Sequence, residues 1–135
     1  MTSSTAKCYE IRTDDQVVQL RRLVREFAAE LGLSLVDQTK MVTAASEIAR
    51  NTVVYGGGGT VEIDVIGQNN GRRGLRLMFR DNGPGIEDIE LALRDGYTTG
   101  TGLGLGLGGA KRLVNEFEIR SRPGQGTQVT LTRWK

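Results

Sequence analysis

The chain contains no histidine and a single cysteine, Cys8, among its 135 residues. One cysteine cannot form a disulfide within the chain, and we expect Cys8 to be a small buried side chain. A chain without histidine cannot carry a phosphoryl group on a histidine of its own. No stretch approaches the roughly 18 consecutive apolar residues of a membrane-spanning helix, and residues 1–8 lack the apolar core of a signal peptide. The sequence therefore predicts a cytoplasmic protein that has no membrane partner.

The chain also has little excess charge of either sign, with 18 basic and 16 acidic residues and a formal net charge of +2. A nucleic-acid-binding protein concentrates lysine and arginine on one element. Here Arg21, Arg22 and Arg25 are offset by Glu26 and Glu30 in the same segment. The charge pattern therefore argues against nucleic acid as a partner.

Glycine, by contrast, is abundant, with 19 residues against an average usage of roughly 7%. The remaining composition, 38% apolar and 25% charged, is typical of a globular protein and predicts a single domain over residues 1–135. Glycine is needed where the backbone takes a positive φ or approaches a neighbour closely. The positions of the glycines therefore indicate where the chain binds something.

The spacing of apolar residues predicts nine elements. In chain order they are a strand at 7–12, a helix capped by Asp14 or Asp15 that ends at Gly32, a helix capped by Ser34 that ends at Gly56, strands at 61–66 and 75–80, helices at 86–94 and 106–115, and strands at 117–121 and 127–133. This order predicts an α+β fold, a two-layer sandwich in which helices cover one face of a mostly antiparallel mixed sheet.

Two polar residues, Glu47 and Asn51, border the apolar stripe of the second helix. Their four-residue spacing places them on one helical face. A carboxylate beside an amide oxygen can bind a hard cation and activate a hydroxyl. The alternative is a polar helix edge held by a side-chain hydrogen bond, which is the commoner case for such a pair alone. The predicted stripe consists of Met41, Ala45, Ile48, Thr52 and Tyr55.

Asp81 ends a predicted strand in phase with Leu77 and Phe79, so its carboxylate should point towards the core side. A buried charge is costly unless a partner pairs with it. The following residues, 82–85, read Asn-Gly-Pro-Gly and would let the backbone pass close to a flat ligand. Asp81 could then accept a hydrogen bond from an exocyclic amine such as that of adenine. The alternative is a strand-ending turn in which Asp81 binds nearby amides.

Residues 102–109 alternate glycine and leucine before a predicted helix. Free backbone N–H groups and a helix N-terminus together form an anion site suited to phosphates. The segment contains G-x-G-x-x-G, but a dinucleotide-binding fingerprint must directly follow a strand, and residues 95–101 predict a loop. The alternative is a flexible hinge, which does not explain the leucines. Residues 124–127, Gly-Gln-Gly-Thr, are typical of a hairpin turn.

Taken together, these motifs resemble those of the GHKL ATPase superfamily, which has the Bergerat fold. Glu47–Asn51 resembles the N box, Asp81–Ile86 the G1 box, Thr101–Leu107 the G2 box, and Gly124–Thr127 the last glycine-threonine motif. They occur in the expected order and span about the whole chain. Within the superfamily, the chain is similar to the small serine/threonine kinases that act as anti-sigma or stressosome switch proteins.

The resemblance implies ATP and Mg²⁺ as ligands and a STAS-domain regulator as the phosphorylated partner in a stress or sigma-factor pathway. It implies that Glu47 is the general base, that Asn51 ligates magnesium, and that Asp81 binds the adenine amino group. Thr127 would support Asp81 or a water beside adenine. The remaining nucleotide-binding residues implied in this way are Gly83, Gly85, Ile86, Thr101, Gly102, Leu103, Gly104, Leu105 and Gly106.

The chain departs from the resemblance at two places. Residues 98–101 contain no basic residue where related kinases often place one, so charge neutralisation must come from magnesium, Arg50, Lys111 or the partner, and phosphoryl transfer is expected to be slow. Gly108 stands where such kinases often have proline, which should loosen the helix start. The alternative function is a nucleotide-dependent switch that sequesters a sigma factor or a phosphatase with little catalysis. Glu47 favours the kinase, because binding alone does not need a base.

Overall fold

A computed structural model of the chain describes residues 6–67, 70–94 and 106–135. Within them the order of elements is the predicted one. The elements are β1 (Lys7–Ile11), α1 (Asp14–Leu31), α2 (Leu35–Val54), β2 (Gly59–Gly67), β3 (Arg73–Asp81), α3 (Ile89–Ala92), α4 (Gly106–Arg112), β4 (Glu116–Ser121) and β5 (Thr127–Trp134). The predicted loop at 95–101 lies outside the described residues.

The five strands form one sheet in the order β1-β2-β3-β5-β4. Each neighbouring pair among these strands is antiparallel, so the prediction of a mostly antiparallel sheet is confirmed, while its mixed character is not seen in the described strands. β3 is the central strand. Its last residue, Asp81, pairs with Gly59 on one side and Thr127 on the other. The carboxylate of Asp81 thus lies at the end of the central strand of the sheet.

The hydrophobic core lies between one face of the sheet and the helices. Leu75, Leu77 and Phe79 are at most 1% exposed, whereas Arg76 and Arg80 alternate with them on the other face. Each such burial stabilises the fold by roughly 1.5–3 kcal/mol, so the apolar row fixes which face of β3 turns inward. The helices contribute a facing row of fully buried side chains: Leu20, Val24, Ala28, Met41, Ala45 and Ile48.

The N-terminal cap of α2 is the predicted residue, whereas that of α1 lies immediately before the predicted positions. Thr13, rather than Asp14 or Asp15, caps α1, because its hydroxyl accepts a hydrogen bond from Gln16 N at 3.2 Å. The two aspartates lie in the first turn, where negative charge favours the helix dipole. Ser34 caps α2 through Asp37 N at 3.1 Å, as predicted.

Three further predictions are corrected by where elements end and which face they present. Tyr55 is 43% exposed, because α2 ends at Val54 and the apolar stripe ends with it. Cys8 is exposed, because it pairs with Glu62 on the sheet face that the helices leave open. The helix predicted at 86–94 is a single turn, Ile89–Ala92, capped by Asp88.

None of the helices in the described ranges combines the length and the apolar character that crossing a bilayer requires.

Candidate functional site

The carboxylate of Asp81 is held at the end of β3 by its surroundings. Its Oδ1 accepts a hydrogen bond from Gly83 N at 2.9 Å, so the predicted strand-ending turn is present. The other oxygen lies against the chain that leaves α2: a Cβ added to Gly56 would be 2.6 Å from Oδ2. Asp81 is therefore fixed in direction by a backbone amide, with its side chain half-buried between the sheet and the end of α2.

The loop after Asp81 packs tightly against two other segments. A Cβ at Gly83 would be 2.7 Å from the Cα of Gly56, and one at Gly85 would be 2.1 Å from the carbonyl oxygen of Arg122. Gly85 also has a φ of 77°, which disfavours any residue with a Cβ. The predicted close backbone approach is real, but on these two sides the neighbour is the protein itself. The glycines thus bring the loop onto α2 and the β4–β5 turn.

Ser121 joins this loop to the β4–β5 turn, and sequence reasoning missed it. Its hydroxyl oxygen accepts from Ile86 N at 2.7 Å, donates to Gly126 O at 3.0 Å, and lies 2.8 Å from Thr127 Oγ1. A signal was present, since Ser121 continues the inward phase of Phe117 and Ile119 on β4 and a hydroxyl in that phase needs partners. The apolar spacing alone predicts Ser121 only as the last residue of a strand.

An open cavity of about 580 Å³ lies at this corner of the sheet. This volume falls within the range of small-molecule sites. Its walls combine hydrogen-bond acceptors, apolar surface from Ile89 and Ile119, and positive charge from nearby arginines. Asp81 and Thr127 bring acceptor side chains here from β3 and β5, and Ser121 of β4 lies beside them with its hydroxyl engaged by protein groups. The arrangement suits a flat ligand that carries a hydrogen-bond donor on one edge and negative charge elsewhere.

Glu47 and Asn51 lie on the helix that leads into the same corner. The carbonyl of Asn51 accepts from Tyr55 N at 2.9 Å and from Gly56 N at 3.1 Å, which shapes the turn that contacts Asp81. Both side chains are half-buried, and neither lines the cavity. From Val54 back to Glu47 the helix rises about 10 Å, at roughly 1.5 Å per residue. Asp81 of β3 thus lies beside the C-terminal end of α2, and Asn51 and then Glu47 lie progressively further back along that helix.

The donor set at α2 fits magnesium only as part of a larger ligand. Among the described residues, no cluster of three or more Asp, Glu, Cys or His side chains could hold a metal alone. Magnesium with a nucleotide is usually bound by one or two protein oxygens, with phosphates and waters completing its shell. An amide from Asn51 beside the carboxylate of Glu47 matches that requirement.

The predicted phosphate-binding segment is described only at its end. Residues Thr101 to Leu105 lie outside the described residues, and Gly106 begins α4. Two residues later, a Cβ on Gly108 would lie 2.3 Å from the carbonyl oxygen of Leu93. Glycine at 108 therefore allows α4 to pack against the chain that follows α3, which gives the departure at this position a structural reason.

The chain is similar to known proteins over most of its length. Residues 36–135 match a family described as "Histidine kinase-, DNA gyrase B-, and HSP90-like ATPase". The chain is 42% identical over 127 residues to "Serine/threonine-protein kinase RsbT" of Bacillus subtilis (strain 168), covering 94% of this chain and 95% of that relative. It is 31% identical over 121 residues to "Anti-sigma F factor" of Thermoanaerobacter sp. (strain X514), covering 84% and 82%.

A solved structure shares the fold over nearly the whole chain. It is the crystal structure of the RsbU and RsbW domains of Rv1364c from Mycobacterium tuberculosis, with a TM-score of 0.64 and 25% identity. The match covers 99% of this chain and 33% of that larger protein.

Proposed function

Because the chain belongs to the histidine kinase-, DNA gyrase B- and HSP90-like ATPase family, we propose that it is an ATP- and magnesium-dependent serine/threonine protein kinase acting on a regulatory partner protein. The observation that carries the proposal is the fixed carboxylate of Asp81 beside Thr127 at an open cavity. The similarity to RsbT, a protein named as a serine/threonine kinase, supports the reaction class.

The adenine end of the proposed site is the corner around Asp81. Its carboxylate can accept a hydrogen bond from the exocyclic amine of adenine while Gly83 N holds it in place. Ile89 and Ile119 offer apolar surface to the ring. A guanine base would present a carbonyl where adenine presents its amine, so the site should reject GTP.

The phosphate end lies along α2 and the start of α4. Asn51 would ligate magnesium, which when bound neutralises charge on the phosphates. Glu47, one turn earlier on the same face, would accept the proton of an incoming serine or threonine hydroxyl. The hydroxyl oxygen would then form a bond to the terminal phosphorus while the bond from that phosphorus to ADP breaks and ADP leaves. Gly83, Gly85 and Ile86 would shape the adenine pocket, and residues 101–106 would surround the phosphates.

The chain contains no histidine, so a histidine that accepts the phosphoryl group would have to belong to another molecule. The position of Glu47 favours a hydroxyl as the acceptor instead. A base beside the terminal phosphate suits a neutral hydroxyl that must lose a proton. The partner we propose is a STAS-domain regulator in a stress or sigma-factor pathway. We propose that the chain forms a single domain over residues 1–135 and binds this partner in the cytoplasm. The resemblance supports this proposal, as does the similarity to a serine/threonine kinase and to an anti-sigma factor.

A second candidate function is a nucleotide-dependent switch that sequesters its partner with little catalysis. The relatives named as anti-sigma F factors favour it, as does the lack of a basic residue at 98–101. Such a switch would bind ATP at the same corner. It would differ from the kinase in that loss of Glu47 would leave its biological output intact.

The test is to incubate the chain with magnesium, terminally labelled ATP and candidate STAS-domain regulators. We expect label on a partner serine or threonine that survives acid, and only slow ATP hydrolysis by the chain alone. Acid-labile label on a partner histidine or aspartate would refute the serine/threonine assignment. Tight ATP binding without label on any cognate regulator would favour the sequestering switch.

A further inference from the structure

The hydrogen bonds around Ser121 can be satisfied together in one arrangement of protons. A serine hydroxyl donates one hydrogen bond and accepts two. Ile86 N can only donate and Gly126 O can only accept, whereas the hydroxyl of Thr127 can do either. All three contacts are therefore hydrogen bonds only when Ser121 accepts from Ile86 N, donates to Gly126 O, and accepts from the hydroxyl of Thr127.

This arrangement determines what Thr127 presents to the cavity. In this arrangement its proton is directed to Ser121 over the 2.8 Å contact, which leaves its oxygen only acceptor capacity for a ligand in the cavity that Thr127 lines. Thr127 pairs with Asp81 across β5 and β3, so both side chains stand at the same level of the sheet. The carboxylate of Asp81 is likewise an acceptor. The wall of the cavity thus presents two neighbouring acceptors, one charged and one neutral.

We infer that Ser121 is a positioning residue that sets purine selectivity by directing the proton of Thr127 away from the bound base. The inference rests on the proposed ATP site and adds a residue to it that touches no nucleotide in its assigned role. Two acceptors match the amino group at C6 of adenine. They oppose a carbonyl at C6, because that oxygen would face two oxygens without a proton between them.

Removal of Ser121 frees the hydroxyl of Thr127 to turn. In Ser121→Ala, the Thr127 proton loses its acceptor and can point into the cavity, where it can donate to a C6 carbonyl. Ile86 N also loses its acceptor, which should loosen the loop and weaken every nucleotide alike. Selectivity therefore separates the two effects, since a purely structural loss leaves the ratio of affinities unchanged.

The experiment compares ATP with inosine triphosphate (ITP), which carries a carbonyl at C6 in place of the amine. Dissociation constants are measured by calorimetry with magnesium present, using the full chain. We expect the preference of the wild type for ATP over ITP to fall about fivefold to tenfold in Ser121→Ala, the scale of one hydrogen bond. Ser121→Thr, which keeps a hydroxyl, should retain most of the preference.

Thr127→Val provides a second variant in case Ser121→Ala does not fold. It leaves Ser121 its bonds to Ile86 N and Gly126 O, removes the oriented oxygen, and should lower the ATP preference by a similar factor. The matched control is Thr130→Val on the same strand, because Thr130 pairs with Met78 on the opposite sheet face. It should leave both affinities unchanged.

The possible outcomes separate the two claims. A wild type that binds ATP and ITP equally would overturn the proposed adenine site itself. A wild type that prefers ATP, with the preference retained in Ser121→Ala or in Thr127→Val, would overturn the role of Ser121 and leave the ATP site standing. A loss of preference in Thr130→Val as large as in the other variants would also overturn it, because the effect would not be local.

Discussion

At the scale of single residues, the corner around Asp81 depends on contacts that leave no room for a side chain. Gly85 shows this most clearly, because it has both a positive φ and a carbonyl oxygen in the way of any Cβ. Gly71 has a similar φ of 82°, but among the described residues, its two chain neighbours aside, no heavy atom lies within 4 Å of a Cβ placed there. The two glycines therefore separate backbone strain from steric overlap.

We predict that Gly85→Ala destabilises the chain more than Gly71→Ala does. Both substitutions impose the cost of a positive φ, of order 1 kcal/mol, and only Gly85→Ala must also move the chain at Arg122. Thermal unfolding of the two variants, with ATP titrations beside it, measures the difference. Equal losses of stability, together with unchanged ATP affinity in Gly85→Ala, would show that the loop is not held as the structure has it.

At the scale of elements, α2 connects the two ends of the proposed site. Its C-terminal turn contacts Asp81 through Gly56, and Asn51 and Glu47 lie about one and two turns, respectively, before that end. A substitution on α2 can therefore affect binding or transfer according to how far along the helix it lies.

We predict that Glu47→Ala and Asn51→Ala separate these two steps. Glu47→Ala should bind magnesium-ATP as the wild type does and should transfer phosphate at a rate lower by about 100-fold or more, since a general base is lost. Asn51→Ala should weaken binding of magnesium-ATP itself, since a metal ligand is lost. Calorimetry and single-turnover transfer assays give the two quantities. If both variants bind and transfer normally, this edge of α2 is structural.

A second link between elements is made by Arg133 on β5. Its guanidinium binds Asp37 Oδ1 at 2.7 Å in the first turn of α2 and Leu113 O at 3.0 Å just after α4. The side chain of Arg133 is 14% exposed and that of Asp37 is 31% exposed, so the pair is only partly screened by solvent. The nitrogen Nε of Arg133 is buried without a hydrogen-bond partner in the described structure, which lowers the net gain from the pair.

We predict that Arg133→Met leaves the core folded and loosens the end of α4. The loss of the contact to Leu113 O should raise amide hydrogen exchange at residues 110–114, with an overall loss of about 1–2 kcal/mol of stability. Arg120→Met is the matched control, because Arg120 forms an exposed pair with Glu118 on the open face of the sheet. Unchanged exchange at 110–114 in Arg133→Met would show that this link does not hold α4.

At the scale of the whole molecule, the order of elements and the face of each strand could be read from the sequence. Alternation along β3 predicted that Asp81 turns inward, because Asp81 lies on the same face of the strand as Leu77 and Phe79, which are buried. The inward phase of Ser121 could also be read, but its hydrogen-bond partners could not, because Ile86 N and Gly126 O are backbone atoms of loops. Hydrogen bonds to backbone depend on how loops meet, which apolar spacing does not encode.

Burial is harder to predict from sequence at an edge strand or a helix end than in the centre of the sheet. Tyr55 continues the apolar spacing of α2 yet is exposed, and Cys8, which was expected to be buried, is out of phase with the inward residues Tyr9 and Ile11 of β1. Cys8 lies on an edge strand and Tyr55 just beyond a helix end, where no second layer covers them. Periodicity predicts which side of an element is apolar, whereas the extent of the opposing layer decides whether that side is buried.

The central claim is that the corner of the sheet at Asp81 binds adenine, and calorimetric titration of ATP into the wild type and Asp81→Asn tests it most directly. Loss of a charge-assisted hydrogen bond in a half-buried site should weaken ATP by about 2–4 kcal/mol, or roughly 30-fold to 1,000-fold. Glu62→Gln, a change of carboxylate to amide on the open face of β2 and away from the cavity, should leave the affinity unchanged. The account predicts tight ATP binding by the wild type, poor GTP binding, and this loss in Asp81→Asn. Equal affinities of the wild type for ATP and GTP, or wild-type ATP affinity in Asp81→Asn, would contradict it.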